Sequence, residues 1–156
     1  MGRGAPHRSR IGAKDASSPG SSMTDAESPG PLPDEVEETA SECLEAAFRV
    51  HSDLGSGLLE KVYRDALAVE LRHRGLDVGT EVTVPIPDRD QALGVGLRLD
   101  LLVADCVVIE VKSVDAFASA HTAQTLTYLE ATGKRLGLLL NFGEPHLRTG
   151  IKRLIL

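Results

Sequence analysis

The chain has 156 residues, 42% of them hydrophobic and 26% charged, with a formal net charge of −6, which suits a single soluble globular domain. No apolar run approaches the roughly 20 residues needed to cross a bilayer, so a membrane-inserted role is excluded. Cys43 and Cys106 are far apart in sequence, with no second Cys or His at ligand spacing; this argues against a zinc site and leaves two reduced core cysteines.

Residues 1–33 are rich in Gly, Pro and Ser and lack apolar periodicity, the signature of a disordered tail, so the folded domain is expected over residues 34–156. Arg3, Arg8, Arg10 and Lys14 make the lead basic, whereas the residues after position 22 carry 13 basic and 22 acidic side chains. Met23 opens the acidic portion, and translation starting there instead of at Met1 would remove the basic lead; mass spectrometry of the native N-terminus distinguishes the two. The lead has no apolar core of a secretory signal, and its Arg and Ser content resembles a transit peptide only faintly, so a cytoplasmic protein is expected.

Asp34, after Pro33, is expected to cap a helix whose apolar positions Val36, Ala40, Cys43, Ala47 and Val50 recur at helical spacing. The Leu54–Gly57 segment LGSG breaks the chain before a second helix, from about Leu58 to Arg74, closed by Gly75. Val78, Val82, Val84 and Ile86 then fall on one face of a strand ended by Pro85 and Pro87. After the loop PDRDQALG come two strand-like runs, Leu97 to Val103 and Val107 to Lys112. A helix from about Ser119 to Thr132, ended by Gly133, leads to the apolar run Leu136 to Phe142, which reads as a strand buried on both faces and reached by a helical crossover. Gly150 to Leu156 adds an edge strand. Without the leading helix the order is αβββαβ, an α/β fold with a mixed sheet flanked by helices.

The two central runs, LRLDLLV and VVIEVK, set Asp100, Glu110 and Lys112 inside apolar sequence, where charge is costly. If Ala104, Asp105 and Cys106 form a three-residue hairpin loop, Val103 faces Val107 and Asp100 lies opposite Glu110, with Cβ atoms about 5 Å apart. Two carboxylates that close either share a cation or raise one pKa. A two-residue turn would shift this register. The alternative reading is an edge hairpin with a solvated Asp100–Lys112 ion pair and Glu110 at a frayed strand end.

Asp100 followed by Glu110-Val111-Lys112, on this element order, resembles the PD-(D/E)xK nuclease superfamily and its restriction-endonuclease-like core. More narrowly, VHSDLGSGLLEKVY with Gly57, Glu60 and Tyr63, the hairpin, AQTLTYLEATG, and LGLLLNFG ahead of GIKR resemble the small GxxExxY proteins, over about Glu42 to Leu156. The resemblance implies that Asp100, Glu110 and the Val111 carbonyl hold Mg²⁺ or Mn²⁺ and that Lys112 handles a water. It further implies that Glu60 completes the site from the second helix. The alternative for Glu60 is an acid placed favourably near a helix N-terminus. Gln124 and Tyr128, four apart, match a Gln-x-x-x-Tyr pair of the superfamily and, with Tyr63, would bind substrate or support Lys112; His121 lies on the same stripe. The alternative for these is a polar helix face meeting solvent. Leu99 stands where the superfamily name has proline, a tolerable departure because proline is not a ligand.

The function so implied is hydrolysis of nucleic-acid phosphodiester bonds, with nucleic acid as partner. The alternatives are a catalytically silent nucleic-acid- or protein-binding module, and a structural homodimer or accessory subunit built on the exposed end of the Leu136–Phe142 sheet. An acidic body argues against indiscriminate duplex binding. Lys61, Arg64, Arg72, Arg74, Lys134, Arg135, Arg148, Lys152 and Arg153 either form a local basic groove or are a solvated face. Gly133-Lys134 lacks the upstream glycine loop of a P-loop, Gly55 and Gly57 lack the strand that precedes a dinucleotide fingerprint, and His51 belongs to a helix end and not to a hydrolytic triad.

Overall fold

The structure is a computed structural model that describes residues 28–88 and 91–156. Its elements are α1 (Asp34–Leu54), α2 (Glu60–His73), β1 (Val78–Asp88), β2 (Gln91–Val103), β3 (Val107–Lys112), α3 (Ser119–Thr132), β4 (Leu136–Asn141), a 3₁₀ turn (Leu147–Gly150) and β5 (Ile151–Ile155). The five strands lie in sequence order, with β3 and β4 parallel and the other neighbours antiparallel. The expected mixed α/β sheet flanked by helices is what forms.

One face of the sheet carries α1 and α2. Ala40, Cys43, Ala46, Ala47 and Val50 of α1 and Tyr63, Leu67 and Leu71 of α2 pack there against Val107, Ile109, Val111, Leu136, Leu138 and Leu140. Those strand residues alternate in sequence, as one face of a pleated sheet requires. The opposite face carries α3, whose Tyr128 and Leu129 pack with Leu99, Val108 and, less deeply, Val82, Val84 and Leu154. Because β3 and β4 are covered on both sides, their apolar runs are nearly continuous. β4 sits between β3 and β5, so the sheet edges are β1 and β5, and β4 offers no free edge for a partner.

Several boundaries differ from expectation. Asp34 is the first residue of α1 and not its cap; Pro33 takes the cap position, and Asp34, Glu35 and Glu37 place negative charge at the positive end of the helix dipole. The packed body begins before Asp34: Leu32 is buried in the core, and the Arg135 guanidinium donates to the carbonyls of Gly30 and Pro31. Met1, Met23 and the basic lead lie outside the described residues. α2 starts at Glu60, two residues later than expected, and Gly75 and Gly133 end α2 and α3 with left-handed φ of 81° and 68°. β1 does not stop at Pro85. Its pairing with β2 shifts register between Pro85 and Pro87 and then continues to Asp88↔Gln91. Proline is tolerated because β1 is an edge strand, where a missing N–H costs no second ladder. Much of the expected loop is therefore strand, with Arg89 and Asp90 outside the described residues.

Val78 also parts from Val82 and Val84. It packs on the α1–α2 side and they pack on the α3 side. β2 changes sides at the same level, with Leu101 and Val103 on the first face and Leu97 and Leu99 on the second. Strict alternation fails there because Glu81 has φ 50°, a left-handed backbone that rotates the strand. Both cysteines are free. Cys43 is buried, with its thiol pushed up to about 12, chiefly by burial; Cys106 lies in the β2–β3 turn and is only half-buried, not a core residue. Among the described residues no helix is long and apolar enough to cross a membrane.

Candidate active site

The site forms where the β2–β3 ladder ends. Val103↔Val107, Leu102↔Val108 and Leu101↔Ile109 pair as the three-residue loop requires. Ala104 and Asp105 take φ of 48° and 54°, and the Cys106 amide donates to the Val103 carbonyl at 3.0 Å. One level further, ladder bonds give way to side chains. The Asp100 amide donates to Glu110 Oε1 at 3.1 Å, and the Val111 amide donates to Asp100 Oδ2 at 2.8 Å. On the other side of β2, pairing with β1 skips the same level, where Glu81 would meet Asp100. Asp100 and Glu110 therefore do meet, but through a reciprocal exchange of carboxylate and backbone amide instead of as a ladder pair.

Burial and mutual repulsion dominate the electrostatics. Glu110 is only 2% exposed, and its carboxyl is pushed up to about 8, first by burial and then by the Asp100 carboxylate beside it. Without a cation, the pair holds a proton between its two carboxyls near neutral pH. The Tyr128 phenol is also raised, first by burial and then by Glu110 and Asp100, which puts it within electrostatic reach of the pair. Glu60, in the first turn of α2, has its pKa raised mainly by burial; Lys112, His121 and Arg64 act in the opposite direction and Asp100 in the same one. Glu60 is thus within electrostatic reach of Asp100 and Lys112.

Lys112 continues from Glu110 along β3, and its Nζ donates to Gln124 Oε1 at 3.2 Å. Gln124 Nε2 donates in turn to the Tyr128 hydroxyl at 2.9 Å. The four-residue spacing that put Gln124 and Tyr128 on one stripe of α3 joins them into a chain ending at the lysine. His121 Nδ1 accepts from the Ala118 amide at 3.1 Å and so closes the first turn of α3.

Tyr63 lies elsewhere. It is fully buried, stacks on Phe142 with ring centroids 4.7 Å apart, donates its hydroxyl to the Gly55 carbonyl at 2.5 Å and accepts from the Leu58 amide at 3.1 Å. The structure uses it to staple the LGSG loop, not to face a substrate. His51 Nε2 lies 2.8 Å from the Glu144 carbonyl, at the end of α1 as expected.

Two residues with clear work at the site carried no signal in the sequence. Asn141, fully buried and paired with Lys112 across β3 and β4, accepts at Oδ1 from the Val114 and Gly143 amides, each at 3.0 Å, and donates from Nδ2 to the Val114 carbonyl at 2.9 Å. It clamps the chain two residues past Lys112. Gly143 permits that clamp, since a Cβ there would stand 2.5 Å from the Val114 carbonyl oxygen. Ser113 donates to the Leu58 carbonyl at 2.8 Å and ties the same segment to the loop before α2. An Asn inside an apolar run and a Ser beside a charged strand end look like ordinary boundary residues until the contacts are known.

Of the two readings of the basic residues, the ion-paired and solvated face is closer to what forms. Lys61, Arg64, Arg74, Lys134 and Arg153 pair with Asp65, Glu81, Glu42, Asp105 and Glu37, among others, and Arg72 and Arg135 donate to backbone carbonyls.

The donor set suits a hard cation. Among the described residues no group of three His, Cys, Asp or Glu is placed to hold a metal ion, so the carboxylates available are the Asp100–Glu110 pair. One or two carboxylates with retained waters is the coordination Mg²⁺ prefers, whereas structural zinc uses four nitrogen or sulfur ligands. The fold and this pair define a nuclease-like domain. A family model described as the PD-(D/E)XK nuclease superfamily matches residues 37–154, and the chain belongs to that superfamily. Its nucleases typically use divalent metals. No curated protein and no solved structure matches the chain.

Proposed function

We propose that the protein is a Mg²⁺- or Mn²⁺-dependent nuclease of the GxxExxY kind, hydrolysing nucleic-acid phosphodiester bonds at Asp100, Glu110 and Lys112. The observation that carries this reading is the break in the sheet where two carboxylates and a lysine meet, with Glu60 and Tyr128 close by. In this reading Asp100, Glu110 and the Val111 carbonyl hold the ion. When bound, the ion acidifies a coordinated water and offsets charge on the phosphate oxygens. Lys112 orients the attacking water, and Gln124, itself held by Tyr128, fixes the lysine amine. Glu60 completes the site from the first turn of α2. Tyr63 supports this arrangement through the LGSG loop.

Calorimetric titration with Mn²⁺ and Mg²⁺, comparing the native chain with Glu110→Ala, is the first test, followed by cleavage assays with Asp100→Ala. Binding and cleavage are expected in the native chain and lost in the respective variants. The rival reading is a catalytically silent nucleic-acid- or protein-binding module on the same fold. Metal binding by the native chain with no cleavage of single-stranded or duplex DNA or RNA would decide for it.

A further inference from the structure

Of the four lysines among the described residues, Lys61 and Lys134 are ion-paired, with Asp65 and Asp105. Lys112 and Lys152 are not, among the described residues; each instead donates to a neutral oxygen of α3, Lys112 to Gln124 Oε1 and Lys152 to Thr122 Oγ1 at 3.0 Å. In an acidic chain that pairs most of its cations, two lysines left on neutral partners of one helix form a distinct set. They also share a face. Glu110 pairs with Leu139, and Leu139 pairs with Lys152, so Glu110 and Lys152 occupy one rung of the sheet, two strands apart. Side chains of a rung point the same way, and Leu154, two residues on from Lys152, packs in the α3-side cluster with Tyr128. Two strand spacings and a two-residue offset put the Cα atoms of Lys112 and Lys152 about 12 Å apart, the reach of a few nucleotides of one strand.

We propose that Lys152 of the edge strand β5 is a nucleic-acid binding residue that contacts a backbone phosphate a few nucleotides from the bond cut at the carboxylate pair. The substrate strand then crosses the first turns of α3 from Lys112 to Lys152, and Thr122 holds the second lysine in place as Gln124 holds the first. Lysine suits this role as a compact charge that reads no base. This assignment rests on the nuclease reading above.

The test is fluorescence-anisotropy binding of the full chain to labelled single-stranded and duplex DNA and RNA, each of two unrelated sequences, across a salt series, with and without Mg²⁺. The proteins are native, Lys152→Gln, Lys152→Arg and the ion-paired control Lys61→Gln. Lys152→Gln is expected to weaken binding about 5- to 10-fold on both sequences and to lower the salt slope by about 0.7 to 0.9, the contribution of one phosphate. Lys152→Arg should restore the slope, and Lys61→Gln should match the native chain. If the native chain binds but Lys152→Gln behaves as Lys61→Gln does, the Lys152 assignment is overturned and the nuclease reading stands. If the native chain binds no nucleic acid under any of these conditions, both are overturned.

Discussion

Replacing Glu110 with glutamine should stabilise the metal-free protein while abolishing the metal binding proposed for it. Glu110 is buried beside Asp100, and its carboxyl moves from an ordinary 4.5 to about 8 on folding. Below pH 4.5 both folded and unfolded chains hold the proton, and the group exacts no penalty. Between pH 4.5 and 8 the unfolded chain releases the proton while the folded chain retains it, so stability falls as pH rises, by up to about 1.4 kcal/mol per unit. The loss reaches about 3 kcal/mol at pH 7 and levels off above pH 8. Glutamine keeps an oxygen to accept from the Asp100 amide, carries no charge, and has an N–H to offer the Asp100 carboxylate. Urea unfolding in chelator at half-unit steps from pH 4.5 to 8.5 should show the Glu110→Gln advantage growing from near zero to about 3 kcal/mol at neutral pH. Adding Mg²⁺ should stabilise the native chain and not the variant, because only a state that binds gains by mass action. A difference between the two proteins that is independent of pH, or one that favours the native carboxylate at pH 8 in chelator, would refute the argument.

Asn141→Ala leaves the Val114 amide and carbonyl and the Gly143 amide without their buried partner, so it should cost about 3 kcal/mol and lower Tm by about 10 °C by calorimetry. Tyr63→Phe removes the hydroxyl from the Gly55 carbonyl and the Leu58 amide and should cost about 1 to 2 kcal/mol in urea unfolding, with KM for a nucleic-acid substrate unchanged. A raised KM at unchanged stability would return Tyr63 to the substrate. Lys112→Met should lower cleavage by about 100-fold or more while calorimetry shows metal affinity within a few-fold of native, the split expected of a residue that handles water and not the ion.

The hairpin was legible because loop length and hydrophobic pattern agree: a three-residue turn with Val103 against Val107 leaves Asp100 level with Glu110. Gly75 and Gly133 were legible as helix ends because a left-handed residue is needed there and glycine adopts it without strain. The left-handed turn at Glu81 was not, since a glutamate in a β-rich stretch looks extended; its φ of 50° falls where the ladder with β2 skips a residue, and its carboxylate pairs there with Arg64 and Arg98. Strict alternation therefore put Val78 on the wrong side of the sheet relative to Val82. The Tyr63 motif position was legible as important, but sequence cannot separate an aromatic that faces substrate from one whose hydroxyl closes a loop from within the core. Asn141 was hidden for a related reason: its value lies in three backbone groups, two of them on Val114 of another segment.

The broken ladder explains how the fold keeps two carboxylates where charge is costly. A continuous three-strand ladder at this level would have used the Asp100 and Val111 amides for pairing and left the acids with repulsion alone. Because pairing lapses on both sides of Asp100, those amides are free to donate to the acids, and each carboxylate receives one. That exchange lowers the penalty of burial without removing it, since Glu110 remains raised to about 8 and a proton is held in the pair. The residual strain disfavours any state in which both acids are charged and no cation is present, and the pair, were it to hold a divalent ion, would give up its proton in exchange. Proton release on metal binding should therefore approach one below pH 7 and fade above pH 8, as potentiometric titration in weak buffer would show. Release that is absent at pH 6 would mean that the pair is not where the ion binds.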